Sequence, residues 1–186
     1  MDPGALPMIT VISATNRTGS NTLKVATIYR DQIRSMGIEA ALLSLEGLDL
    51  NGRSPGLEQI EDTLLIPSNC FVFILPEYNG SFPGSVKTVL DMSRYRECWW
   101  NKKALLTGVA DGRAGNLRGM DHFTGVLNYL RMLVHPNKLP ISMIDQVMDG
   151  SGKFTDPATW QAVLRQITEF LEFCGEGSPA PAAHPV

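Results

Sequence analysis

The sequence predicts an α/β fold, a doubly wound three-layer sandwich with helices on both faces of a parallel sheet. Two observations carry this. Short β-rich apolar runs alternate with longer segments of helical period, the pattern of successive βαβ units. The run Cys70 to Leu75 is apolar at every position, as a strand buried on both faces must be, which places it centrally in the sheet. Composition allows such a core. A chain of 186 residues favours one domain, and a domain of that length buries about 70% of the surface its unfolded chain exposes. Apolar residues make up 44% and charged residues 19%, as in an ordinary globular chain.

The elements follow in chain order. Met8 to Ser13 reads as the first strand. After a polar loop, a helix spans about Asn21 to Met36, with Leu23, Ala26, Ile33 and Met36 at helical steps and Gly37 to close it. Ile38 to Leu45 is the second strand, and Leu57 to Leu65 a short helix stopped by Pro67. Beyond the central strand, Pro83 opens a helix carrying Val86, Val89, Leu90 and Ser93. Ala104 to Val109 is the fourth strand. A glycine-rich loop, Gly108 to Gly119, leads to a helix carrying Phe123, Val126, Leu127, Leu130, Leu133 and Val134. Leu139 to Ile144 is a fifth, weaker strand. The last helix has Asp156 as cap, Pro157 in its first turn, and an apolar stripe from Trp160 to Cys174. Five strands and five helices match a flavodoxin-like domain with strand order 2-1-3-4-5, here spanning 8–174. The ends, 1–7 and 175–186, are rich in Pro, Gly and Ala and are expected to be flexible tails.

Charge and cysteine usage exclude several classes. Sixteen Lys and Arg against nineteen Asp and Glu give a net charge of −3, whereas a general nucleic-acid or anionic-membrane binder carries a basic excess. The first apolar run is far shorter than the roughly 20 residues that cross a bilayer, so neither nucleic acid nor membrane is expected as a partner. Cys70, Cys98 and Cys174 are odd in number and widely spaced, which gives no disulfide framework and points to the cytoplasm. Cys70 and Cys174 are expected as core residues, and Cys98, in a polar loop, as a candidate reactive thiol. His122, His135 and His184 are too scattered for a metal site.

In doubly wound sheets, ligands bind outside the carboxyl ends of the strands where the strand order reverses. Three loops lie there. The first, Ser13 to Thr22, surrounds Arg17 and Gly19 with hydroxyl and amide side chains just ahead of a helix, a natural anion site. It contains neither a Walker loop nor a GxGxxG pattern, and a hydroxyl-rich helix cap explains the same residues. The second, Pro76 to Gly84, is stiffened by two prolines and can offer backbone groups to the rim of a planar heterocycle. A tight strand-to-helix connection reads the same way. The third, Gly108 to Gly119, has four glycines that permit close backbone approach to a ligand, or simple flexibility.

With those motifs in place, the chain resembles the NADPH-dependent FMN reductase family, flavodoxin-like proteins that include flavin, quinone, azo-dye and chromate reductases. The likeness runs from about Met8 to Leu171. Its most specific element is Pro76-Glu77-Tyr78-Asn79-Gly80, followed by Pro83-Gly84 and Lys87. By this resemblance Thr15, Asn16, Arg17, Ser20, Asn21 and Thr22 stand where the family grips the FMN phosphate. Pro76, Glu77, Tyr78, Asn79 and Gly80 border the isoalloxazine ring. Ala110, Asp111, Gly112, Arg113 and Gly115 stand in the family's third flavin loop. Ala14, Thr22, Ala110, Asp111 and Asn116 depart from the usual residues there.

The resemblance implies FMN as cofactor and NADPH or NADH as donor. It implies a ping-pong cycle in which the nicotinamide passes hydride to the flavin, and a quinone, free flavin, azo compound or metal oxyanion then takes the electrons. The chemistry then belongs to the cofactor, so no side chain is assigned as catalytic. Arg113 and Arg118 are candidates for the 2′-phosphate of NADPH. Trp99-Trp100 would expose apolar area unless covered, which points to a homodimer or homotetramer, or to rings folded back on their own domain. The competing function is a flavodoxin-like FMN or phosphate-ligand binding or electron-carrier protein without turnover. A diverged member that has lost FMN is the third reading.

Overall fold

The computed structural model describes residues 8–175. The expected tails, 1–7 and 176–186, lie outside the described residues. The elements are β1 (Met8–Ser13), α1 (Asn21–Ser35), β2 (Ala40–Ser44), α2 (Pro55–Ile60), β3 (Ser68–Pro76), α3 (Gly84–Met92), α4 (Tyr95–Cys98), β4 (Lys103–Val109), α5 (Leu117–Tyr129), β5 (Leu133–Val134), β6 (Leu139–Ile141), α6 (Ile144–Val147) and α7 (Pro157–Cys174). A π-helical turn, Glu61–Leu65, continues α2. The strands pair in parallel in the order β2-β1-β3-β4-β5, with β6 also on β4. This is the flavodoxin-like order expected from the sequence.

Strand parity divides the core. Along β3, Phe71, Phe73 and Leu75 enter one cluster with α3 and α5, while Cys70, Val72 and Ile74 enter a second with α1 and α7. Both faces of β3 are therefore covered, which is why its sequence shows no polar alternation.

Three expectations need correction. The fifth strand is split: Leu133–Val134 pairs with the start of β4 and Leu139–Ile141 with its end. The helix before it accordingly stops at Tyr129, and Leu133 and Val134 are strand. Arg131 takes a left-handed φ of 57°, and the Leu133 and His135 N–H groups then bond Lys102 and Ala104 carbonyls. Leu130, Leu133 and Val134 keep helical spacing, so periodicity misses this break.

The cysteines are the second correction. Cys70 and Cys174 pair as a disulfide that joins β3 to the last turn of α7. They lie 104 residues apart, so only the fold brings them together, and the compartment argument from unpaired cysteines loses that support. Cys98 is buried in α4, and burial pushes its thiol up to about 12, which removes the reactive reading.

The tryptophans are the third. Trp99 is fully buried, with its ring 5.0 Å from Phe71 and its Nε1 donating to Ser93 Oγ at 2.7 Å. It belongs to its own core, while Trp100 is half-buried on a groove.

The strand ends set the site. Beyond β1, β3 and β4, the Ala14, Glu77 and Ala110 N–H groups each make one further ladder bond, to the carbonyls of Ile74, Val109 and Ile141. Three loops thus leave the sheet at one level.

Candidate functional site

The first loop is short and locally braced. Ser20 caps α1 by accepting from the Leu23 N–H, and Gly19, at φ 65°, turns the chain into the helix. The first N–H groups of α1 have no partner within a helix and carry its positive end. Thr15 is buried, and its hydroxyl accepts from the Arg17 N–H at 3.3 Å.

The second loop is a two-residue hairpin. Tyr78 and Ser81 exchange backbone bonds of 2.9 and 3.1 Å, with Asn79 and Gly80 at φ 50° and 76° between them. Two successive positive φ values define a type I′ turn, for which Asn-Gly is the preferred pair. That dipeptide was a signal the sequence carried openly. Ser81 Oγ lies 3.1 Å from His122 Nδ1, and Arg118 packs against Gly80. The hairpin is thereby fastened to the start of α5.

The third loop is held by Asn116, fully buried at φ 67°, whose Nδ2 donates to the Leu75 carbonyl at 2.9 Å. Three of its glycines serve the chain itself. A Cβ on Gly108 would stand 2.0 Å from the Gly115 carbonyl, one on Gly115 2.6 Å from Pro140, and one on Gly119 2.0 Å from Asn116 Oδ1. The expectation that these glycines clear room for a ligand is corrected for all three. Gly112, with open space around it, keeps that reading.

The first two loops meet directly. Tyr78 Oη is 2.5 Å from Thr15 Oγ1, and the Arg17 guanidinium lies over the Tyr78 ring, 4.2 Å from its centroid. All three loops open on one cleft of about 440 Å³. Of the expected residues, Arg17, Ser20, Asn21, Thr22, Pro76, Glu77, Tyr78, Asn79, Gly80, Ala110, Asp111 and Gly112 line it. Four do not. Thr15 is buried and bonded to Tyr78, Asn16 and Arg113 are exposed beyond the lining, and Gly115 sits against Pro140. Thr18, Val109 and Ile144 line the cleft without having been singled out. Ile144 was hidden because Leu139 to Ile144 read as one strand. It begins α6 instead, where Asp145 Oδ1 accepts from Asn21 Nδ2 at 2.9 Å.

The lining of the cleft offers two kinds of chemistry. Arg17, with hydroxyls from Thr18, Ser20 and Thr22 and the helix start, offers cationic and N–H donors of the kind that hold a phosphate monoester. Among the described residues Arg17 forms no ion pair. Val109, Ala110 and Ile144 give the same cleft an apolar component, with the residues of Pro76 to Gly80 and Ala110 to Gly112 also in its lining. Such a component suits a planar ring, and the volume falls in the usual range of roughly 300–1,000 Å³ for cofactor sites. Glu77 and Asp111 are exposed acids in the lining.

Comparison with known proteins decides the family. The family described as NADPH-dependent FMN reductase matches residues 7–146. The chain belongs to this family. Its members are oxidoreductases named for FMN and a reduced nicotinamide donor. Among relatives of this chain, a rice protein (Oryza sativa subsp. japonica) named "Probable NADPH:quinone oxidoreductase 2" is 28% identical over 63% of this chain and 60% of its own length. The alignment thus spans less than two thirds of that relative. An NAD(P)H-dependent FMN reductase of Pseudomonas aeruginosa is 25% identical over 70% of this chain and 76% of its own. The flavoenzyme NAD(P)H:(acceptor) oxidoreductase FerB of Paracoccus denitrificans superposes with a TM-score of 0.73 at 17% identity, covering 92% of this chain and 98% of that one. At that identity the likeness speaks for the fold, which the reductase family shares.

Proposed function

We propose that this chain is an FMN-dependent NAD(P)H oxidoreductase that works by a ping-pong cycle, in which a nicotinamide donor and a small oxidant use one face in turn. The observation that supports this most is the meeting of two loops: Arg17 and Tyr78 face the same cleft and touch. In this reading the phosphate is held by Arg17, Ser20, Asn21 and Thr22, with Thr15 and Asn16 supporting the loop. The ring lies against the backbone of Pro76 to Gly80 and of Ala110 to Gly112, and Arg113 and Gly115 shape the loop behind.

FMN, when bound, supplies the two-electron chemistry. The residues of this chain bind and orient. A planar guanidinium and helix-start N–H groups neutralise the phosphate, and the rigid hairpin fixes the ring's edge with groups that need no reorganisation. Glu77 and Asp111 leave negative charge beside the cleft, which opposes further negative charge there. No side chain is asked to act as nucleophile or base.

The acceptor class we propose is a quinone, free flavin, azo compound or metal oxyanion, and the setting the cytoplasm. None of the described helices is long and apolar enough to cross a membrane. We further propose a homodimer or homotetramer, built on one domain spanning 8–174. A groove of about 800 Å³ between α3 and α5, where Tyr95, Trp100, Val126 and Tyr129 stand among Lys87, Asp91, His122 and Arg131, supports an association face, with Tyr129 87% exposed.

The test is anaerobic. FMN-loaded protein mixed with NADPH or NADH should lose the visible absorbance of its flavin and regain it on addition of a quinone. Bleaching by neither donor would overturn the reading. Bleaching without recovery on any of the four acceptors would leave a carrier without turnover.

A further inference from the structure

The contact between Arg17 and Tyr78 raises a question about the free protein. Arg17 is an exposed side chain on a short loop and forms no ion pair among the described residues. An arginine in that situation ordinarily samples many rotamers, and capturing an anion costs that freedom. Here the guanidinium already lies 4.2 Å above the centre of a tyrosine ring. A flat cation over an aromatic face is attracted by the ring's quadrupole while its edge stays free to donate.

The ring is itself restrained from two sides. Its backbone is the first corner of the type I′ hairpin, closed by paired bonds to Ser81. Its hydroxyl lies 2.5 Å from Thr15 Oγ1, and Thr15 is buried at the end of β1. Thr15 Oγ1 also accepts from the Arg17 backbone N–H. Arg17, Thr15 and Tyr78 therefore close a small circuit of contacts that spans two loops 63 residues apart. The fold spends a residue of the ring-side loop on restraining a cation of the phosphate-side loop.

We propose that Tyr78 is a positioning residue that pre-orders the Arg17 guanidinium for a phosphoryl group, and so sets how far this chain prefers FMN to riboflavin. The proposal rests on the FMN reading and deepens it. The two ligands share the isoalloxazine ring and the ribityl chain and differ only in the terminal phosphate. Any contact of Tyr78 with the ring is common to both. Its effect through Arg17 reaches FMN alone.

The experiment reads a ratio. Dissociation constants for FMN and for riboflavin are measured by flavin fluorescence on the wild-type chain and on Tyr78→Leu, Thr15→Val and Arg17→Met. The wild type should bind FMN more tightly than riboflavin, and Arg17→Met should remove most of that preference. Tyr78→Leu should lower the preference about fivefold, the upper end for one solvent-exposed cation–π contact, whatever it does to riboflavin. Thr15→Val, nearly the same shape without the hydroxyl, should lower it about threefold and keeps the test alive if Tyr78→Leu fails to fold.

A Tyr78→Leu chain that binds both ligands more weakly by one common factor would overturn the positioning role, as would a Thr15→Val chain with an unchanged ratio. A wild-type chain that binds no FMN would overturn the underlying reading instead, so the two failures are distinct.

Discussion

The two ends of the sheet use charge in opposite ways. Near the amino ends of β3 and β4, the fully buried Glu61 carboxylate accepts from Arg53 Nη2 at 2.6 Å, Arg94 Nε at 2.9 Å and the Arg94 N–H at 2.6 Å. Arg94 also pairs with Asp62, and Lys102 Nζ donates to the carbonyls of Leu65 and Ile66. Every group there has its partner inside the chain. At the carboxyl ends, the Arg17 guanidinium lies over the Tyr78 ring and forms no ion pair among the described residues, and Glu77 and Asp111 face water. Charge satisfied internally holds the fold together. Charge left over at a topological switch point is available to a ligand.

The sharpest challenge to this contrast comes from glycines at the ligand end. Gly108→Ala would drive a Cβ into the Gly115 backbone. It should cost about 3 kcal/mol or more of stability, measured by denaturant unfolding. Gly112→Ala, where space is open, should stay within about 0.5 kcal/mol. Equal losses would show that the third loop is merely slack.

Next in size is the buried carboxylate. Burial raises the Glu61 carboxyl, but the bonds from Arg53 and Arg94 outweigh it and hold the group below the usual carboxylate range. A depressed folded value means stability that is present above the unfolded value of about 4.3 and lost as pH falls through the folded one. Glu61→Ala should cost about 2–3 kcal/mol at neutral pH, at or below the usual cost of breaking a buried pair because both arginines can reach water. It should also flatten the acid limb of the stability profile and leave FMN affinity unchanged.

Arg17→Met should cost less stability than Glu61→Ala, less than about 1 kcal/mol, the worth of one exposed cation–π contact. A larger loss would make Arg17 part of the scaffold. Smallest of all, Cys98 should resist alkylation in the native protein at pH 8, since burial keeps it a thiol. Modification by mass spectrometry at the rate of a free thiol would show that the amino end opens.

Much of the fold was legible because its signals are local and periodic. The apolar Cys70 to Leu75 run, the Asp156-Pro157 helix start and the α7 stripe all read directly from spacing. What the sequence concealed depends on distant partners. Leu133 and Val134 hold helical phase, and only the open edge of β4 turns them into strand. Trp99 sits among charged residues, and only Phe71 and Phe73 explain its burial. At the site, the loops were found from residue types and a family likeness, but not how they touch. The Tyr78 contact with Thr15 spans 63 residues, and nothing in either loop's composition foretells it. The glycines of the third loop look ligand-directed in sequence because a one-dimensional reading cannot see Pro140 or Asn116 behind them.

The claim that one cleft joins a phosphate grip to a ring edge is tested most directly by titrating FMN into the purified chain and into Arg17→Met. FMN fluorescence should quench in a saturable one-to-one titration, weakened about 10- to 100-fold by the substitution, the worth of a charge-assisted contact to phosphate. Quenching that Arg17→Met leaves untouched, or none at all with the wild-type chain, would contradict it.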